Sequence, residues 1–128
     1  MVQTRTVKLR HKTQFQTGLD QSVVARSPHF ALHGARPQPE AQAEAADERC
    51  IGAVIPKRWA KRAVTRNTIR RQIYQAWSEW SHRLPCGIHV VRLRQGFQAS
   101  QFHSATSDHL RQAVRQELNQ LFAQRALS

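Results

Sequence analysis

The chemistry written most plainly into this chain is that of cations without counter-ions. From Arg49 to Arg71 there are eight basic residues and no acidic one, while Glu40, Glu44, Asp47 and Glu48 hold half of all the acid in the short stretch before it. Charge segregated in this way marks a local stripe for a polyanion. Within the run, Lys57, Arg58, Lys61 and Arg62 make a basic turn, and Arg66, Asn67, Arg70 and Arg71 follow it at helical spacing. Counting about 100° per residue from Arg66 puts Arg70 near 40°, Tyr74 near 80°, Asn67 near 100° and Arg71 near 140°, so they share a face.

Arginines at i and i+4 repel each other by tenths of a kcal/mol. No carboxylate between Arg49 and Arg71 relieves them, which leaves phosphate as the leading counter-anion. Arginine offers a planar two-pronged donor for phosphate oxygens, and Asn67 can both donate and accept, which suits a ribose hydroxyl or a base edge. An ordinary solvated helix face uses the same residue types, but the unbroken positive run argues against that reading. A membrane-surface helix would turn its apolar arc toward lipid, whereas the strands around it imply a core that needs that arc.

Other chemistry is sparse. The acids are few and mostly in a low-complexity segment, and the seven histidines show no His-Glu-x-x-His spacing. His29 and His33 are four apart on a predicted strand, which does not bring them to one metal, and His103 and His109 flank a helix start. A self-sufficient nuclease built on His and Asp is disfavoured by this scatter. Cys50 and Cys86 lack the paired spacing of a zinc or redox site and read as isolated thiols in a reducing compartment.

The cationic face needs a scaffold, and the pattern supplies one. A helix is expected from about Ala63 to Ser81, with Ala76, Ile69, Trp80, Ile73 and Trp77 in an apolar arc roughly 100° wide beside the basic face. Before it, Cys50 to Ile55 reads as a buried strand; after it, Leu84 to Gly87 ends the unit and Ile88 to Leu93 is another strand. Thr13 can cap a short helix through about Asp20, with Phe15 and Leu19 on its buried side and Gly18 weakening it. Ser22 to Arg26 and His29 to Gly34 read as two short strands. Leu110, Val114, Leu118, Leu121 and Phe122 recur at helical spacing behind a cap at Ser107.

With 128 residues, 40% of them apolar, and a formal charge of +12, one domain with a modest core is expected over residues 1–128. Residues 1–12 read as an extended or mobile basic arm, and 35–48 as a low-complexity acidic loop. No stretch spans a bilayer and Met1 to Lys12 has no signal-peptide core, so a cytoplasmic protein is expected. Helices packed on one small sheet make an α+β arrangement.

The stretch Lys57-Arg58-Trp59-Ala60-Lys61-Arg62-Ala63-Val64-Thr65-Arg66-Asn67-Thr68-Ile69-Arg70-Arg71 resembles the conserved motif of the bacterial ribonuclease P protein family. Thr13-Gln14-Phe15 is similar to that family's first-helix aromatic motif, Ile51 to Val54 to the strand before the motif, and Ile88 to Leu93 to the strand after it. Four positions depart from the pattern. Thr68 stands where a second arginine is usual, Pro56 replaces a small polar residue, and Tyr74-Gln75 replaces Arg-Glu.

The resemblance implies a four-stranded mixed sheet with three to four helices, a left-handed βαβ crossover and a ribosomal-protein-like fold. It implies the accessory protein subunit of an endoribonuclease that removes the 5′ leader of precursor tRNA, with catalysis and magnesium belonging to the RNA subunit and no cofactor held by the protein alone. Lys57, Arg58, Lys61, Arg62, Arg66, Asn67, Arg70 and Arg71 would then bind the RNA subunit, one protein to one RNA. Phe15, and more weakly Phe30, would line a cleft that stacks unpaired leader bases; Phe15 can equally be a core residue. Another RNA-binding module, such as a ribosomal protein, is the alternative of similar size and charge.

Overall fold

The computed structural model describes residues 5–9, 12–34, 48–84, 87–97 and 108–127. The chain runs β1 (Arg5–Lys8), α1 (Lys12–Leu19), β2 (Val23–Arg26), β3 (Phe30–Gly34), β4 (Glu48–Val54), α2 (Ala63–Trp80), a 3-10 turn (Ser81–Arg83), β5 (Gly87–Leu93) and α3 (Asp108–Leu127). One mixed sheet contains all the strands in the order β1-β4-β5-β3-β2. The expected four strands are its β4-β5-β3-β2 part. The correction is a fifth: Arg5–Lys8, read as an arm, pairs parallel to β4 at the edge, with Lys8 opposite Ile51. Its backbone bonds hold it there, and Leu9 N–H continues the ladder to Ile51 O at 2.8 Å.

β4 and β5 are parallel neighbours joined through α2, and β5, β3 and β2 continue antiparallel. Period-2 alternation then sorts the strand residues onto two faces. Ile51, Ala53, Val91, Leu93, Phe30 and Leu32 point into a core closed by Ile69, Ile73 and Trp77 of α2 and by Leu110, Val114, Leu118, Leu121 and Phe122 of α3. Each fully buried side chain of this kind contributes about 1.5–3 kcal/mol.

The opposite face carries α1, which lies over β5 and β3. Gly18 lets it approach: a Cβ there would meet Val90 Cγ2 at 2.2 Å. This glycine therefore sets the seating of α1, and is more than a weak point in a short helix. α2 is held against α3 by Arg115, whose guanidinium donates to Gln72 Oε1 at 3.2 Å, Glu79 Oε1 at 3.1 Å and Gln75 Oε1 at 3.0 Å. Trp80 Nε1 adds a bond to Asn119 Oδ1 at 3.0 Å.

Residues 35–47, Cys86, His103 and the expected cap Ser107 lie outside the described residues. Cys50 is half-buried and forms no disulfide among the described residues. Among the described residues no helix is long and apolar enough to cross a membrane.

Candidate nucleic-acid interface

The strand β4 leaves the sheet at Val54, and Pro56 turns the chain into the basic segment. Pro56 O accepts from Trp59 N–H at 3.0 Å and Ala60 N–H at 3.2 Å, which closes the turn and buries Ala60 while Lys57, Arg58, Lys61 and Arg62 stay exposed. Arg62 occupies the N-cap position of α2 without a side-chain cap bond, and the first helical turn has no acidic residue. The positive end of the helix dipole and its unsatisfied N–H groups therefore add to the charge of the turn.

Arg66 has a task that its position on the helix does not advertise. Its Nη1 donates to Ala60 O at 3.0 Å and Lys61 O at 2.8 Å, tying the turn to the helix. It shapes the interface from behind, and only its remaining donors are available to a ligand. Thr68 is buried, and its hydroxyl donates to Val64 O at 2.9 Å, so the departure at this position serves the helix.

Asn67, Arg70 and Arg71 do come together. With Tyr74, Gln75 and Ser78 they line an open groove of about 570 Å³, and Lys8 of β1 completes its lining. Lys8 reaches it because the residue opposite, Ile51, points to the α2 side of the sheet, and the Lys8 ammonium lies 4.5 Å over the Tyr74 ring. Tyr74 thus holds a cation against the groove wall. Burial raises its phenol pKa, against the opposing pull of Arg70, which keeps the ring neutral. Arg70 Nη1 donates to Asn67 Oδ1 at 3.0 Å, which orients both side chains.

Among the described residues no carboxylate lines this groove: Asp20 accepts from Gln16, Glu79 pairs with Arg115, Asp108 with Arg111, and Glu117 with His29. An external anion would meet these cations without displacing any described carboxylate. Sequence reasoning missed Lys8 and its perch on Tyr74; the one available signal was the basic alternation Lys8, Arg10, Lys12.

The two aromatic candidates separate. Phe15 is half-buried, with its ring laid on Gly52, where a Cβ would come within 2.6 Å of Cε1. One side of the ring packs on the sheet. Phe30 is a correction: it is 0% exposed, in the core on the other face, 5.9 Å from the Phe97 ring. Alternating strand residues cannot report which face a helix covers when both are covered, and every residue of β3 is buried.

The histidines also go their own ways. His29 Nδ1 bonds Glu117 Oε1 at 2.8 Å and its ring stacks on Phe97 at 4.0 Å. His33 Nε2 accepts from Arg92 Nε at 3.2 Å, so its Nδ1 carries the proton donated to Gln21 O at 3.1 Å. His109 is exposed on the first turn of α3. Among the described residues no three His, Cys, Asp or Glu side chains gather as a metal site.

Comparison with known proteins agrees with this geometry. The family described as Ribonuclease P matches residues 4–124. The ribonuclease P protein component of Bordetella parapertussis is 34% identical over 115 residues, covering 90% of this chain and 88% of that protein. That of Bordetella petrii is 33% identical over 116 residues, covering 91% and 89%. In fold, the RNase P protein of Staphylococcus aureus superposes with a TM-score of 0.65 at 16% identity, over 91% of this chain and 92% of that one.

Proposed function

The chain belongs to the ribonuclease P protein family, and on that premise we propose that its α2 groove seats on the catalytic RNA subunit while the α1 face of the sheet holds the 5′ leader of precursor tRNA. Membership makes it an accessory subunit of an endoribonuclease acting in tRNA 5′ maturation, with an RNA partner; catalysis by the RNA is a general property of the family. The observation that carries the reading is the gathering of Lys8, Asn67, Arg70 and Arg71 around one groove that no described carboxylate lines.

Work at this interface is electrostatic and geometric. Each cation placed on a phosphate releases condensed counter-ions, which favours the compact RNA at a given salt. Magnesium is then bound by RNA phosphates, whose crowding the protein relieves. On the α1 face, the exposed side of Phe15 stacks leader bases with little sequence preference, and holding the leader orients the scissile bond. Membership of this family fits action in the cytoplasm.

The reading is tested by reconstitution. Adding the protein to the RNA subunit at low magnesium is expected to restore leader removal, with no cleavage by the protein alone; cleavage without RNA would contradict it. Phe15→Ala is expected to raise KM for leader-bearing precursor by about 5- to 150-fold, the worth of one stacked base, and to leave RNA-subunit affinity unchanged. Equal losses in both would return Phe15 to a packing role on Gly52.

A further inference from the structure

We propose that Trp59 is a stacking platform for an unpaired nucleobase of the RNA partner, placed on the basic turn that leads into α2. The inference rests on the RNA-binding reading above and adds a base contact to what is otherwise a phosphate-binding surface. Among the described residues only Trp59 and Val64 are exposed large hydrophobics, at 36% and 39%. Trp77, by contrast, is 2% exposed in the core. Both exposed apolar residues sit inside the stretch of sequence that has no acid.

The Trp59 backbone is fixed on two sides. Its N–H is bonded to Pro56 O at 3.0 Å, and its carbonyl lies so close to Gly96 that a Cβ there would come within 2.6 Å. The main chain is therefore packed between the Pro56 turn and the exit of β5, while part of the indole remains in solvent. A large aromatic side chain held this way offers stacking area at little ordering cost. The Arg58 guanidinium lies 5.3 Å from the ring centroid, and Lys57, Lys61 and Arg62 surround the turn, all exposed.

This combination selects the occupant. An apolar protein partner would have to bury four nearby cations without counter-charges, which is costly. A nucleotide brings its own phosphates to them and lays its base on the indole. The turn leads directly into the helix that carries the groove: Ala63, where α2 starts, is about 6 Å of helix axis from Asn67. That separation is about the length of one nucleotide of extended strand.

The test uses the full chain with two single-stranded probes, octaadenylate and an abasic RNA octamer of the same charge. Trp59→Ala is expected to weaken octaadenylate binding by about 5- to 150-fold and to leave the abasic octamer unchanged. Trp59→Phe should keep most of the affinity, and Trp59→Leu, which retains apolar area without a π-face, should not. Octaadenylate should also quench the parent's tryptophan emission, a signal that Trp59→Phe removes and that reads stacking without an alanine variant. Equal affinity of the parent for both probes, or unchanged octaadenylate binding by Trp59→Leu and Trp59→Ala, would overturn the proposal. Arg70→Ala with Arg71→Ala separates the two readings, because it should weaken both probes alike. If it weakens neither, the groove reading fails while the Trp59 result stands on its own.

Discussion

Replacing Arg70 and Arg71 together by alanine should lower affinity for the RNA subunit by at least tenfold per residue and reduce the steepness of its salt dependence. Charge-assisted hydrogen bonds of this type contribute on the order of 1.5–3 kcal/mol each. The slope of log K against log salt changes by roughly 0.7 to 0.9 per phosphate contact, so the pair should flatten it by about 1.4 to 1.8. Both arginines line the groove, Arg70 donates to the neutral Asn67 amide, and among the described residues neither is in an ion pair that its removal would break. Stability should therefore stay close to that of the parent. Titrating KCl in an RNA-subunit binding assay reads the effect; lost affinity with an unchanged slope would mean that the arginines act through packing.

The second large effect is on the fold. His89 is 0% exposed against the Trp77 ring, at 5.1 Å between centroids, and its ring nitrogens lie near the backbone of Gly87 and Cys50 without forming well-aligned hydrogen bonds. Burial first, with Arg125 and Arg49, lowers its pKa from 6.5 to about 4 against the opposing pull of those backbone groups. Between those values the unfolded chain binds a proton that the folded chain refuses, so stability rises with pH across this window and is lost as pH falls through it. A shift of this size corresponds to roughly 3 kcal/mol. Urea unfolding of the parent should show that loss between pH 6.5 and 4, and His89→Leu should remove it. Parallel pH profiles for the two proteins would assign the acid sensitivity to other groups.

The elements of this fold were largely legible because its core helices are strongly periodic. Ile69, Ile73 and Trp77 of α2 and Leu110, Val114, Leu118, Leu121 and Phe122 of α3 all turn inward as the spacing requires. β1 was illegible for the opposite reason. Arg-Thr-Val-Lys has no apolar alternation, and its place is decided by backbone pairing with β4, which side-chain pattern does not encode. Lys8 was missed with it, although that strand is what carries its ammonium to Tyr74.

The site residues divide along the same line. Asn67, Arg70 and Arg71 share a groove because helical rotation alone puts them on one face. Arg66 shares their rotation, yet its guanidinium returns to the carbonyls of Ala60 and Lys61, a partner choice set by the Pro56 turn. Phe30 was placed in a cleft by strand membership, when its side of the strand put it in the core. Gly18 looked like a helix weakness until β5 supplied Val90 as its neighbour. Local periodicity carried the faces, and contacts between distant segments carried the roles.

The central claim is that RNA lies along the α2 groove, and photo-crosslinking reads this most directly. A photoreactive residue is introduced at Ser78, exposed on the groove, or at Gln120, exposed on α3, and irradiated with the RNA subunit bound. The prediction is RNA adducts from position 78 and none from position 120; adducts from 120 with none from 78 would contradict it.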